Sequence, residues 1–263
     1  MRKSLPLQSD GGIFLTLLYT KRSYRQRFSQ RDMVHFQAAY KDTDVDIGIP
    51  RQDFKPTVIA AAKKIIENYH RQLSAYIKTD PQFGRSLSPC SPLAVAPEIA
   101  HRMAEAARLA GVGPMAAVAG AIAQYTAIDL VGADKEIIIE NGGDIYLHSF
   151  QPRIIGLNTR ESSVFNNRLG LKINQQLCPV GICTSSGTVG PALSFGCADA
   201  AVIIARSAIV ADAVATAAGN IVRQAEDVKK AAQFAATIPG VLGAVIIAAD
   251  KIAAWGKVEL VPL

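Results

Sequence analysis

Asp212 and Thr216 stand four residues apart in Ala211-Asp212-Ala213-Val214-Ala215-Thr216-Ala217. On a helix that spacing puts a carboxylate and a hydroxyl on one face. Oxygen donors of this kind, joined by a backbone carbonyl, phosphate and water, suit the octahedral shell of Mg²⁺. The same pair also suits a plain helix, with Asp212 as a cap and Thr216 bonded back to a carbonyl. A second group, Asn141-Gly142-Gly143-Asp144, follows a short β-branched run. Its glycines free the backbone for positive φ and let amides point at a phosphate or a ring, while Asp144 can hold a hydroxyl or fix the turn. Asn-Gly is equally a hairpin signal on its own. A third group, Thr184-Ser185-Ser186-Gly187-Thr188, places hydroxyls and a glycine in a loop, which suits a phosphate cradle.

The elements that must carry these groups follow from periodicity. Met33–Tyr40 and Asp44–Ile49 alternate as a hairpin joined near Lys41-Asp42-Thr43. From Lys55 to about Ile77, apolar residues recur at helical spacing (Val58, Ile59, Ala62, Ile65, Ile66, Tyr69, Leu73, Tyr76). A Ser/Pro-rich connection precedes a second helix over Pro97–Ala110, which Gly111 ends. An Ala-rich third helix runs to about Leu130. The spacing then predicts strands at Glu136–Glu140, Ile145–Phe150, Arg153–Leu157, Leu171–Asn174, Val180–Thr184 and Ala201–Ala205. Helices at Ala211–Gly219 and Val222–Ala236, then strands at Val241–Ala248 and Lys257–Val261, complete the chain. Strands and helices mix without βαβ alternation, so the expected class is α+β, with mixed sheets and packed helices.

The chain has 263 residues, 49% of them hydrophobic and only 6% aromatic. That length supports one substantial core. The expected organisation is a basic N-terminal arm over residues 1–32, with room for a strand, and a single domain over 33–263. The formal charge of +6 owes much to Lys21, Arg22, Arg25, Arg27 and Arg31. No aromatic-studded strand or helix-turn-helix pattern accompanies that cluster, so nucleic acid is not an expected partner. The apolar stretch Ala200–Ala218 is broken by Arg206, Ser207 and Asp212, which argues against a membrane span. Arg2 and Lys3 are not followed by an uninterrupted apolar run, so a cytoplasmic location is expected. Cys178, Cys183 and Cys197, spaced C-x₄-C-x₁₃-C, match no dependable metal signature and read best as buried small hydrophobes.

Taken in order, the motifs resemble those of the ApbE-type flavin transferases (FAD:protein FMN transferases). Gly120-Ala121-Ile122-Ala123-Gln124-Tyr125-Thr126-Ala127-Ile128-Asp129 is similar to the helix pattern G-A/G-I-A-K-G-Y-A-V-D. Asn141 to Ile145 resembles N-x-G-G-D-I, residues 184–188 resemble a T-S-G element with a further anchor at Asp199, and residues 211–217 resemble A-D-A-x-A-T-A. The likeness spans roughly Gly111–Gly219 and looks closest to a short branch of the ApbE-like superfamily. It implies an ApbE-like fold that binds a flavin nucleotide (FAD or FMN) or a related diphosphate near Mg²⁺. The implied metal residues are Ala123, through its carbonyl, Asp212 and Thr216; the implied nucleotide residues are Asn141, Gly142, Gly143, Asp144, Thr184, Ser185, Ser186 and Gly187. Small residues on the first helix would let a ligand approach closely, or simply let helices pack.

The pattern also departs from the family. Gln124 stands where transferases place a lysine, Tyr125 where they place a glycine, and an H-x-x-x-D-P-x-T-G element is absent. Loss of such charges costs phosphoryl transfer roughly 10²–10⁴ in rate. Two outcomes therefore stay open: FMN transfer to an acceptor protein, or a non-catalytic accessory protein that kept the pocket. The resembled branch further implies a link to sulfur and homocysteine metabolism in anaerobes. Ala- and Gly-rich surfaces also allow a homodimer.

Overall fold

The structure, a computed structural model, describes residue 30 and residues 32–160, 163–188 and 195–263. Most of the expected basic arm lies outside the described residues. The architecture is α+β in three layers. An eight-stranded sheet runs in the order β1-β2-β3-β4-β7-β8-β9-β10, and a three-stranded sheet runs β11-β6-β5. The strands are β1 (Met33–Tyr40), β2 (Thr43–Pro50), β3 (Ile137–Asn141), β4 (Asp144–His148), β5 (Arg153–Gly156), β6 (Leu169–Ile173), β7 (Val180–Ser185), β8 (Ala200–Ala205), β9 (Val241–Ala248), β10 (Lys251–Gly256) and β11 (Leu260–Pro262). Every neighbouring pair is antiparallel. The helices are α1 (Thr57–Thr79), α2 (Pro81–Arg85), α3 (Glu98–Ala110), α4 (Val118–Val131), α5 (Ala208–Ile221) and α6 (Val228–Ala236).

The central strands are apolar throughout because both of their faces are covered. Ile137, Ile139, Ala201, Ile203, Ala244 and Ile246 face the helices. Their alternates Ile138, Val202, Val245 and Ile247 pack with Leu171 and Ile173 of the small sheet. This parity decides which side chains of each strand can reach the helix layer.

α3 ends where Gly111 takes a left-handed φ of 73°, as the sequence predicts. Two stretches differ from the expectation. The last helical run starts later than expected: Gln224 and Asp227 form a capping box that opens a 3-10 turn over Ala225–Asp227, and α6 continues from it at Val228. At the C-terminus, Ala249 adopts φ 53° and turns the chain back into β10 over Lys251–Gly256, leaving only Leu260–Pro262 for the last strand. β10 is a largely exposed edge strand without apolar alternation, so it carries little periodic signal. Pro114–Val131 is apolar enough over 18 residues, with mean hydropathy 1.3, to pass a membrane-span test. Here that stretch packs Ala121, Ile122, Ala123 and Ala127 into the helix-side core.

Candidate functional site

Of the residues singled out by sequence, Asn141, Asp144 and Asp212 come together beside the start of α4. β3 and β4 are joined by Gly142 and Gly143, with φ values of 71° and 107° between the paired Asn141 and Asp144. Two successive positive φ values define the hairpin turn that glycine makes easily. The Gly143 amide donates inward to Glu140 Oε1 at 2.7 Å, so it is committed within the turn. The Asn141 Nδ2 donates to the Ala119 carbonyl at 3.1 Å and ties the hairpin to the start of α4. Strand parity puts Asn141 and Asp144 on the helix-facing side with Ile139 and Tyr146.

Asp212 meets them from α5. Its carboxyl is only 8% exposed and accepts from the Gly120 amide at 2.8 Å, so it caps the opening turn of the neighbouring helix α4. Burial and the Asp144 carboxylate push the Asp212 carboxyl well above the usual carboxylate range, against the opposing pull of the Gly120 and Ala119 amides. The capping role expected for Asp212 is thus realised across helices rather than within its own. Ser207 caps α5 instead, accepting from the Ile209 amide at 3.2 Å.

The small residues of α4 have a definite use. A Cβ at Gly120 would stand 2.2 Å from the Ala208 carbonyl oxygen, so glycine here permits contact between α4 and α5. Ala123 is 0% exposed and lies inside α4, where helix geometry directs its carbonyl at the amide four residues on. Thr216 lies one turn beyond Asp212 on α5 and is half-buried. Ser185 faces the following turn, beside Gly219. Thr184, by contrast, shares the parity of Val180 and Ile182, which pack toward the small sheet. Its side chain is thereby turned from Asp212. The Gly187 amide donates to the Ala198 carbonyl at 2.9 Å, and Ser186 Oγ accepts from the Thr188 amide at 3.1 Å.

Cys183 joins this centre through register, since the β4–β7 ladder sets it opposite Asp144. Its Sγ donates to the Ala208 carbonyl at 3.3 Å. Burial raises the thiol well above its ordinary range, and the Asp144 and Asp212 carboxylates raise it further. Only a thiolate reacts readily with alkylating agents. Exposed Cys197 is therefore expected to be modified by iodoacetamide at pH 8, while Cys183 stays unmodified until the protein is unfolded. Peptide mass spectrometry before and after denaturation checks this. Early labelling of Cys183 would contradict its sealed position.

Gln124, at the position where the resembled pattern has lysine, is occupied structurally. Its Oε1 accepts from Ser207 Oγ at 2.9 Å and from the Ala208 amide at 2.8 Å, which closes the start of α5. Tyr125 stacks obliquely on Tyr69 with ring centroids 5.2 Å apart. The three cysteines do not gather into a metal site, and no cluster of three or more His, Cys, Asp or Glu suited to a metal occurs among the described residues. Sequence reasoning passed over Glu140, the Ala119 carbonyl and Arg160, whose Nε lies 3.1 Å from Asp199 Oδ1.

Comparison with known proteins bears on the family and the fold. The family model described as AbpE bacteria matches residues 25–251. A UPF0280 protein of Methanothrix thermoacetophila is 42% identical over 202 residues, covering 76% of this chain and 84% of that protein. One from Archaeoglobus fulgidus is 40% identical over 193 residues, covering 72% and 76%. Among solved structures, the flavin transferase ApbE from Vibrio cholerae aligns over 85% of this chain and 96% of its own, with a TM-score of 0.51 and 13% identity. A variant of that enzyme aligns over 86% and 97%, with a TM-score of 0.56 and 14% identity. At such identity the likeness is one of fold. With the family model spanning most of its length and relatives this similar, the chain belongs to the family described as AbpE bacteria and has the fold of the ApbE flavin transferases.

Proposed function

We propose that the rim formed by α4, α5 and the β3–β4 turn binds a flavin nucleotide, FAD or FMN, or a related diphosphate together with Mg²⁺. One observation carries this reading: Asp144 and Asp212 are both buried, and after burial the Asp144 charge is what raises the Asp212 carboxyl. Two such carboxylates either share a proton or hold a cation between them. Oxygen donors in that setting fit Mg²⁺. The residues that would hold it are Asp212, Asp144 and Thr216. The Ala123 carbonyl has a second lone pair to offer beyond its helix bond. When bound, Mg²⁺ supplies charge neutralisation for a diphosphate and orients its leaving group. The chain's own residues do the rest: Asn141 fixes the turn to α4, the Gly120 amide orients Asp212, and Ser185 and Ser186 line the side nearest the end of α5.

Calorimetric titration of the metal-stripped protein with FAD, FMN and ADP, each with and without Mg²⁺, tests the reading. Binding that requires Mg²⁺ is expected, and Asp212→Ala should weaken it by about 100-fold or more, the loss typical of a metal-centred contact worth several kcal/mol. Equal Mg²⁺ dependence in wild type and variant would remove the metal assignment.

Gln124 favours a second reading, in which the pocket binds its nucleotide without transferring FMN. The glutamine's oxygen is engaged by α5 and its side chain is neutral, so this position brings no charge to a phosphate. Turnover of FAD with transfer of FMN to any acceptor protein would overturn that alternative. Its absence alongside Mg²⁺-dependent binding would support it.

A further inference from the structure

From the geometry around Asp199 we infer that Arg160, from the connection between β5 and β6, is the cation that grips the anionic part of the ligand at this rim. The inference rests on the nucleotide reading and names the group that takes the phosphate. Asp199 precedes β8 and is 1% exposed. Its Oδ2 accepts from the Ala249 amide at 2.8 Å, and its Oδ1 accepts from Thr188 Oγ1 at 3.0 Å and faces Arg160 Nε at 3.1 Å. The turn between β9 and β10, the hydroxyl-rich loop after β7 and the arginine are thus fastened to one buried carboxylate. Thr188 Oγ1 and Arg160 Nε share the same oxygen, so they lie at most about 6 Å apart.

Arg160 meets Asp199 through its Nε side as an ion pair, without a hydrogen bond. Its terminal nitrogens make no hydrogen bond among the described residues, and its side chain is 41% exposed. An arginine that only neutralised Asp199 would use its two-pronged face on that carboxylate, which is the stronger arrangement. Here the fork is left for another partner. Next to it, Thr159 Oγ1 is buried and has no hydrogen-bond partner among the described residues. A fixed guanidinium fork beside the Ser186 and Thr188 hydroxyls matches the paired oxygens of a phosphate. It also supplies, from a different element, the positive charge that Gln124 does not. The ligand class is the diphosphate of a nucleotide, engaged by Arg160 beside the loop that the Cys197 amide ties to the Val222 carbonyl at the end of α5.

The test uses the full chain and three probes: ADP, inorganic pyrophosphate and riboflavin, which has no phosphate. Arg160→Gln is expected to weaken ADP and pyrophosphate by about tenfold or more, as loss of a charge-assisted phosphate contact does. Riboflavin affinity is expected to stay unchanged. Arg160→Lys keeps a charge against Asp199 but loses the fork, so it should remain folded and still bind both phosphates several-fold more weakly than wild type. If Arg160→Gln fails to fold, the lysine variant decides. ADP and pyrophosphate affinities equal to wild type in the folded variants would overturn the inference and leave the nucleotide reading standing. Arg160-dependent pyrophosphate binding without any ADP or flavin binding would keep the inference and overturn that reading. Failure of wild type to bind any probe would sink both.

Discussion

Gly120→Ala is expected to destabilise the protein by about 3 kcal/mol, at the upper end of the usual cost of overpacking. Taken as a helix position alone, the same change would gain up to about 1 kcal/mol from propensity. The sign reverses because the added Cβ would meet the Ala208 carbonyl oxygen at 2.2 Å, its carbon at 2.8 Å and Asp212 Cβ at 2.9 Å. Two of these are backbone atoms of α5 and cannot rotate away, so the α4–α5 contact must open. For a chain of this size each kcal/mol moves the melting midpoint by about 2–4 °C, giving a drop of about 6–12 °C. Gly219→Ala is the control. It is also helical, but its nearest new contact is an ordinary 3.4 Å from Ser185 Oγ, and it should melt at or slightly above wild type. Thermal melts of the three proteins decide the matter, and a Gly120→Ala midpoint equal to wild type would mean that the helices are not in contact there. Because the Gly120 amide also holds Asp212, the variant should lose Mg²⁺-dependent ligand binding along with stability.

That position shows how far the sequence could be read. The small residues of α4 suggested either close ligand approach or close helix packing, and composition alone cannot choose between them. The choice lies in the register of α5 against α4, which is set by the Gln124 cap on Ser207 and Ala208. The sheet core was largely legible, since Ala200–Ala205 and Val241–Ala248 are buried on both faces and read as unbroken apolar runs. β10 was not, because an exposed edge strand has no face to encode. The metal and turn motifs were legible as separate segments. Their assembly was not: Cys183 joins Asp144 only through a strand register, and Arg160, in the connection between two strands of the small sheet, meets Asp199 only in the folded chain. Thr184 shows the reverse case, since strand parity counted from Val180 turns it from Asp212, and that count needs the strand's position.

Asp212→Asn should stabilise the metal-free protein at pH 8 and cancel its response to Mg²⁺. The asparagine Oδ1 still accepts from the Gly120 amide, so the cap on α4 survives while the charge facing Asp144 goes. The folded Asp212 carboxyl is raised well above 3.8, first by burial and then by Asp144. A raised carboxyl binds its proton more tightly in the native state than in the unfolded chain. Its favourable contribution is therefore complete below the unfolded value and is lost as pH climbs through the folded one. Metal-free wild type should lose stability relative to Asp212→Asn from weakly acidic to alkaline pH. At pH 8 the variant should lead by about 1–3 kcal/mol, the scale of a poorly compensated buried polar group. Toward pH 4 the two melting curves should converge. Adding Mg²⁺ at pH 8 should then raise wild type, by about 2.7 kcal/mol at a hundredfold excess over its dissociation constant, and leave the variant where it was. Melting curves in chelator across this pH range, repeated with Mg²⁺, separate the possibilities. A wild type that gains on the variant as pH rises without metal would show that the fold itself favours the Asp212 anion, and the case for a cation between the two carboxylates would lose its support.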